Sequence, residues 1–295
     1  MAQQAIVGHK TSRSSHLGRH LSTFLVYLFM LLLAVLFLFP FAWMVSTSFK
    51  EPREALVWPP QWIPDPITFE NYARLFVGRT ASYLPFSRFV LNSAYIAVLV
   101  VVGRVIVCSA AGFAFARLRF PGRDLAFAML LAALLLPPVI MIIPLYSIYL
   151  SLGWIDTHMP LLVSPIFAST FGTFLFRQFF KTLPPDLDEA AIIDGASYWQ
   201  TFWRVAMPLA KPVAAVLAIF TFQESWNNFQ TAIIYITTLR KQTLPVGLQA
   251  FNQEFNTEYT LLMAGSVLAL LPILILFIVF QRYFVQGIQF SGIRG

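Results

Sequence analysis

Six stretches of the chain are almost wholly apolar, and short polar interludes separate them. They cover roughly residues 22–48, 89–116, 125–149, 158–177, 209–236 and 260–284. A helix needs about 20 apolar residues to cross a hydrocarbon core, so the pattern predicts an all-α membrane protein with six transmembrane helices. The first stretch follows a basic tail, but it is longer than a secretory signal's apolar region and no small-x-small site follows it. It is expected to be a retained span. The organisation predicted is a basic tail (1–20), a first helix with an external loop (21–88), a five-helix core (89–285) that carries a polar loop at 184–208, and a short tail (286–295).

Prolines then modify this picture. Pro137, Pro138, Pro144, Pro160, Pro165, Pro212 and Pro272 fall inside or at the ends of later spans, and each removes a backbone donor and favours a kink. Pro160 and Pro212 read as span-end prolines. Pro137 and Pro138 lie mid-span, where a bent helix lining a cavity is expected, because freed backbone groups need partners away from lipid. Ala110/Ala114 and Gly112/Ala116 recur at four-residue spacing and predict a close-packing face on the second span. Trp58, Pro59, Pro60, Trp62, Pro64 and Pro66 favour extended, polyproline-like chain in the external loop. Its tryptophans suit the membrane interface or an external partner.

Composition agrees with a membrane chain. Of 295 residues, 58% are hydrophobic and 11% charged, against about 25% charged in a soluble domain. The net charge of +7 is spread as short loop clusters, which points to membrane topology and away from nucleic-acid binding. Twelve basic residues fall in the termini, the 117–123 loop and the 177–211 segment: Lys10, Arg13, Arg19, Arg117, Arg119, Arg123, Arg177, Lys181, Arg204, Lys211, Arg282 and Arg294. Seven fall in the opposite loops: Lys50, Arg53, Arg74, Arg79, Arg88, Arg240 and Lys241. Both termini and the 184–208 loop are therefore expected in the cytoplasm. A lone Cys108 allows no disulfide within the chain, and His9, His16, His20 and His158 have no ligand spacing.

The 184–208 loop has its own logic. Pro184 and Pro185 suit a helix start, and Asp186, Asp188 and Glu189 suit the dipole of its first turn. Gly195 breaks the helix, and Ser197-Tyr198-Trp199-Gln200 has capping-box spacing that restarts it. Pro208 closes the unit. Leu187, Ala190, Ala191 and Asp194 share one face, where two alanines permit close approach by another protein. Glu189 offers a carboxylate to a basic partner group. Asp186 and Asp188 read as solvent-washed charges that satisfy the dipole.

The spacing of Glu189, Ala190, Ala191, Gly195 and Pro208, with Val205 and Met207 between, resembles the E-A-A-x3-G-x9-I-x-L-P loop of ATP-binding-cassette importer permeases. PFAWMVSTSFK, TFENYARLF, AFARLRFPGR, FGTFLFRQFF and SWNNF extend the resemblance to the carbohydrate-uptake branch, the type similar to the second maltose permease. Glycerol-phosphate permeases share these features. The resemblance implies a type I importer permease in which Glu189, Ala190, Ala191, Asp194, Gly195 and Pro208 form the loop that docks on an ATPase. It also implies a heterodimer with a second permease, two ATP-binding subunits and an extracytoplasmic solute-binding protein. The chain has no G-x-x-x-x-G-K-[ST] phosphate loop, so ATP and Mg are expected on the partner subunits, with no cofactor and no enzymatic activity here.

Ionisable groups at bilayer depth usually face a bundle interior. Arg104 in the second span and Glu224 in the fifth are such groups, and an ion pair between them is one reading. Glu224, Trp226, Asn227, Asn228 and Arg104 together suit a hydrophilic translocation path, with Trp226 stacking on a sugar ring. Hydrogen bonding between helices is the other reading of the same residues. A self-sufficient secondary transporter that uses Glu224 and Arg104 as a proton or ion relay is the alternative from another class.

Overall fold

The computed structural model describes residues 14–252 and 258–291; of the two tails, residues 1–13 and 292–295 lie outside them. Every regular element among the described residues is helical. The first span is α1 (Ser14–Ser48), followed by two short helices, α2 (Glu70–Phe76) and α3 (Arg79–Tyr83). The second span is α4 (Phe86–Arg117), and the third divides into α5 (Arg123–Ala132) and α6 (Ile142–Ser151). The fourth divides into α7 (Met159–Phe167) and α8 (Thr170–Thr182). The polar loop holds α9 (Asp186–Ile193), α10 (Tyr198–Thr201) and α11 (Met207–Leu209). The fifth span is α12 (Lys211–Trp226) with α13 (Gln230–Tyr235), and α14 (Leu244–Gln249) leads to the sixth, α15 (Tyr259–Ser291).

Four segments are long and apolar enough to cross a bilayer alone: His20–Ser48, Phe86–Arg117, Met159–Thr182 and Tyr259–Gln281. The third span instead bends by 97° between Arg123–Leu135 and Pro138–Ser151. Leu136 and Pro137 are extended, with ψ of 120° and 128°, because each precedes a proline, which disfavours the helical conformation in the residue before it. The mid-span bend expected from this proline pair is there. Two further breaks occur: the one in the fourth span follows Pro165, a proline expected to favour a kink, and the one in the fifth was not expected. The fourth span is interrupted at Ala168–Ser169 and the fifth at Asn227–Phe229.

Helix α4 is the staff on which the bundle is built, and it contributes to all three buried apolar clusters. Phe86, Phe89 and Ala97 meet Trp226, Leu244 and Leu261 at the end remote from the 184–208 loop. Ile96 and Val100 meet Leu161, Ala232 and Ile236 beside them. Cys108 and Phe113 meet Phe176, Phe180, Phe202 and Leu217 toward the loop. The predicted small-residue face operates at Gly112, where a Cβ would lie 2.6 Å from the Cβ of Phe176 and 2.8 Å from the amide nitrogen of Arg177. Only glycine lets the two helices approach so closely.

Remote from the loop, polar side chains tie the connections down. Asn92 of α4 donates to the carbonyls of Arg240 and Gln242 at 3.0 and 2.9 Å, and the amide of Leu244 donates to Ser93 Oγ at 2.8 Å. Asp156 accepts from the Thr238 hydroxyl at 2.6 Å, from the Thr237 and Thr238 amides, and from Lys241 Nζ. The Thr238 hydroxyl and amide and the Lys241 ammonium together hold its carboxyl far below the usual carboxylate range. The two tryptophans after α1 separate: Trp62 packs on Phe39 and Trp43 of α1, whereas Trp58 is exposed. Along most of its length α1 presents bare leucine and phenylalanine, a surface suited to lipid and not to water.

Candidate functional site

The 184–208 unit is rigid for reasons visible atom by atom. Pro185 caps α9, with Asp186, Asp188 and Glu189 in the first turn. The helix ends in a Schellman motif. Gly195 takes φ +83°, its amide donates to the Ile192 carbonyl at 2.9 Å, and the Ala196 amide donates to the Ala191 carbonyl at 2.9 Å. A left-handed residue at that position favours glycine. The expected capping box then starts α10: the Gln200 amide donates to Ser197 Oγ at 3.3 Å, and the Ser197 amide donates to Gln200 Oε1 at 2.8 Å. A π-helical turn at Phe202–Ala206 leads into α11, which carries Pro208. Phe202 drives into the core against Phe113, with ring centroids 5.4 Å apart, and anchors the unit.

What the unit displays differs in part from expectation. Glu189, Ala190 and Asp194 are exposed and Ala191 is half-buried. No Cβ built on Gly195 would meet another atom within 4 Å, so its surroundings are open. Beyond the expected face, Ile193 is 85% exposed, and Ile192, Tyr198 and Trp199 are exposed beside it. Trp199 packs partly on Phe202 and Trp203, yet all four remain exposed among the described residues, and spacing gave no hint of them because they fall in two helices joined by a turn. Asp188 corrects the sequence reading: it is not a solvent-washed charge. Its Oδ2 lies 2.9 Å from Nε of Arg117, with side chains only 18% and 14% exposed. Burial pushes the Asp188 carboxyl up, and the Arg117 guanidinium opposes that. Nη2 of Arg117 also donates to the Leu183 carbonyl at 2.8 Å.

Arg104 and Glu224 do pair, with Nη1 to Oε2 at 2.5 Å. Arg104 is buried, and its Nε also donates at 2.7 Å to the carbonyl of Pro165. That carbonyl faces the break after α7, so the arginine satisfies a helix C-terminus. Glu224, 64% exposed by side chain, faces a cavity of about 310 Å³ that Arg104, Asn228, Gln230, Thr231 and Tyr235 also line. The breaks at 168–169 and 227–229 thus border a hollow of mixed polar and apolar lining, where irregular backbone at membrane depth is tolerated. Asn228 Oδ1 accepts from the Thr231 amide at 3.1 Å and so caps the first turn of α13.

Trp226 is not where the sequence reading put it. It is 3% exposed, stacks on Phe222, and donates from Nε1 to the Ala269 carbonyl at 3.0 Å. Its packing against α15 keeps it off the cavity wall. Asn227 is exposed at the end of α12 and also stands off that wall. The difference follows from period: at about 100° per residue, Glu224 and Trp226 lie about 200° apart on α12, so Trp226 points away from the side that faces the cavity.

The family profile of the binding-protein-dependent transport system inner membrane component matches residues 108–290. The chain belongs to that family. The permease is 32% identical to the arabinooligosaccharides transport system permease protein AraQ of Bacillus subtilis, over 94% of this chain and 99% of that protein. It is 33% identical to the trehalose/maltose transport system permease protein MalG of Thermococcus litoralis, over 90% of this chain and 94% of that protein. Its fold matches a chain of a bacterial ABC transporter involved in the import of the acidic polysaccharide alginate, with TM-score 0.77 and 24% identity, over 92% of this chain and 98% of that one. The permease is thus a multi-pass membrane component of a transport system that depends on a binding protein, with the fold of an ABC importer permease.

Proposed function

We propose that this permease carries a di- or oligosaccharide inward, coupling ATP hydrolysis in partner subunits to alternating access of the cavity. Its partners are a second permease in a heterodimer, two ATP-binding subunits that hold ATP and Mg, and an extracytoplasmic solute-binding protein that delivers the sugar. The chain itself is not an enzyme. The observation that carries the reading is the 184–208 unit, a rigid helix-turn-helix that leaves Ile193, Tyr198 and Trp199 exposed among the described residues. Glu189, Ala190, Ala191, Asp194, Gly195 and Pro208 belong to this docking surface, which lies in the cytoplasm with both termini. The sugar-transport names of the relatives support the substrate class. ATP-driven closure of the partner pair moves the docked loops together and rocks the bundles between two packed states.

The test is uptake of labelled disaccharides, arabino- and maltooligosaccharides and glycerol-3-phosphate in cells lacking the gene, with wild type or Gly195→Asp restored. Aspartate tolerates the left-handed conformation at modest cost, and the space is open, so the variant should reach the membrane within twofold of wild-type abundance. Uptake of one sugar should return with wild type and stay at background with Gly195→Asp. Rescue by both versions would refute the docking surface, and rescue of glycerol-3-phosphate uptake would refute the sugar.

A further inference from the structure

Helix α9 has no buried residue; Phe202 anchors the second half of the unit, and α9 joins that anchor across the Gly195 turn. The chain entering it is extended at Leu183 and turns through Pro184 and Pro185. The side-chain tie from α9 to a span is the Asp188–Arg117 pair at 2.9 Å, and the same guanidinium holds the Leu183 carbonyl at 2.8 Å. Arg117 therefore grips both the junction at Leu183 and the helix beyond it. Both side chains are largely withdrawn from water, so removing one partner leaves the other charge buried without its counter-ion.

Arg117 is the last residue of α4. Thirteen residues earlier on the same helix, about 20 Å away at 1.5 Å per residue, Arg104 reaches Glu224 on the cavity wall and the Pro165 carbonyl at the break in the fourth span. Between them α4 is locked to α8 at Gly112. We propose that Arg117 is a positioning residue that makes α4 a rigid rod between the docking unit and the cavity, a second link beside the direct chain connection through α8. The proposal rests on the docking reading of the 184–208 unit. Arg117 sets the angle at which α9 meets its partner, and α4 carries the displacement to Arg104.

The complete transporter in proteoliposomes tests this with Arg117→Gln, Asp188→Asn, the double variant and Arg117→Lys. Each neutralising single variant should keep the ATP-binding subunits at wild-type stoichiometry and lose at least about tenfold in sugar moved per ATP hydrolysed. The double should be no worse than the worse single, since both remove one contact. Arg117→Lys should stay within about threefold, because it keeps the charge. Transport per ATP within twofold of wild type in Arg117→Gln, or losses that multiply in the double, would overturn the proposal. Subtilisin cleavage within 183–197 of the same permeabilised complexes reads the grip apart from coupling. It should quicken at least fivefold in Arg117→Gln, and unchanged cleavage would overturn the grip even if transport fell. Loss of docking as a reading shows separately, as full transport by Gly195→Asp.

Discussion

Arg104, Asp188 and Trp226 show what a single residue discloses before its neighbours are known. A guanidinium among valines in α4 had to find partners, and both the carboxylate of Glu224 and the carbonyl of Pro165 serve it. Its need was legible, and one partner could be named because only one carboxylate lies at similar depth. Asp188 was misread because a carboxylate in a first helical turn already has a sufficient local explanation, and the approach of Arg117 from 71 positions earlier leaves no trace in spacing. Trp226 was misread because an indole beside two asparagines suits a sugar site by composition, whereas its direction along α12 decides the matter. Trp226→Phe should therefore leave the apparent affinity for transported sugar unchanged. It should lower the stability of the complex by about 1 kcal/mol through the lost bond to Ala269. Thermal unfolding and concentration-dependent uptake check the two halves, and a large loss of affinity would return Trp226 to the path.

The elements were legible where a strong local signal marked them. Six apolar stretches gave the spans, the Pro137-Pro138 pair gave the bend in the third, and Ser197 with Gln200 gave the restart after Gly195. The break at Asn227–Phe229 was not legible, since no proline sits there and Asn228 caps the restart from within the same span, whereas the break at Ala168–Ser169 lies three residues past Pro165, whose carbonyl Arg104 satisfies from another span. Arg104 and Glu224 span these interruptions, so Arg104→Gln and Glu224→Gln should be coupled. Because the carboxylate is mostly in water, the coupling should be about 1 kcal/mol. The double variant should lose less stability than the sum of the singles, measured by thermal unfolding in lipid nanodiscs. Strict additivity would mean that the carbonyl of Pro165 alone satisfies the arginine.

For the whole molecule, the charge count and the helix order agree on two distinct ends. The 184–208 unit lies at one end, with the 117–123 loop, and the Asn92 and Asp156 ties lie at the other. Which end faces the cytoplasm is testable in a Cys108→Ser background. A membrane-impermeant maleimide should label Asp65→Cys in intact spheroplasts and Arg119→Cys only after lysis. The reverse pattern would invert the topology and refute the docking surface with it.

Helix α1 packs chiefly along α15, and most of the rest of its surface is bare. A chain leaves the ribosome from its amino end at about 5–20 residues per second, so the first helix made has to wait for the last. More than 200 residues separate Ser48 from Tyr259, a delay on the order of ten seconds or more. During that interval α1 stands alone in lipid, which its leucines and phenylalanines equip it to do. A chain cut short before Tyr259 would leave it stranded there, recognisable to membrane quality control as an orphan.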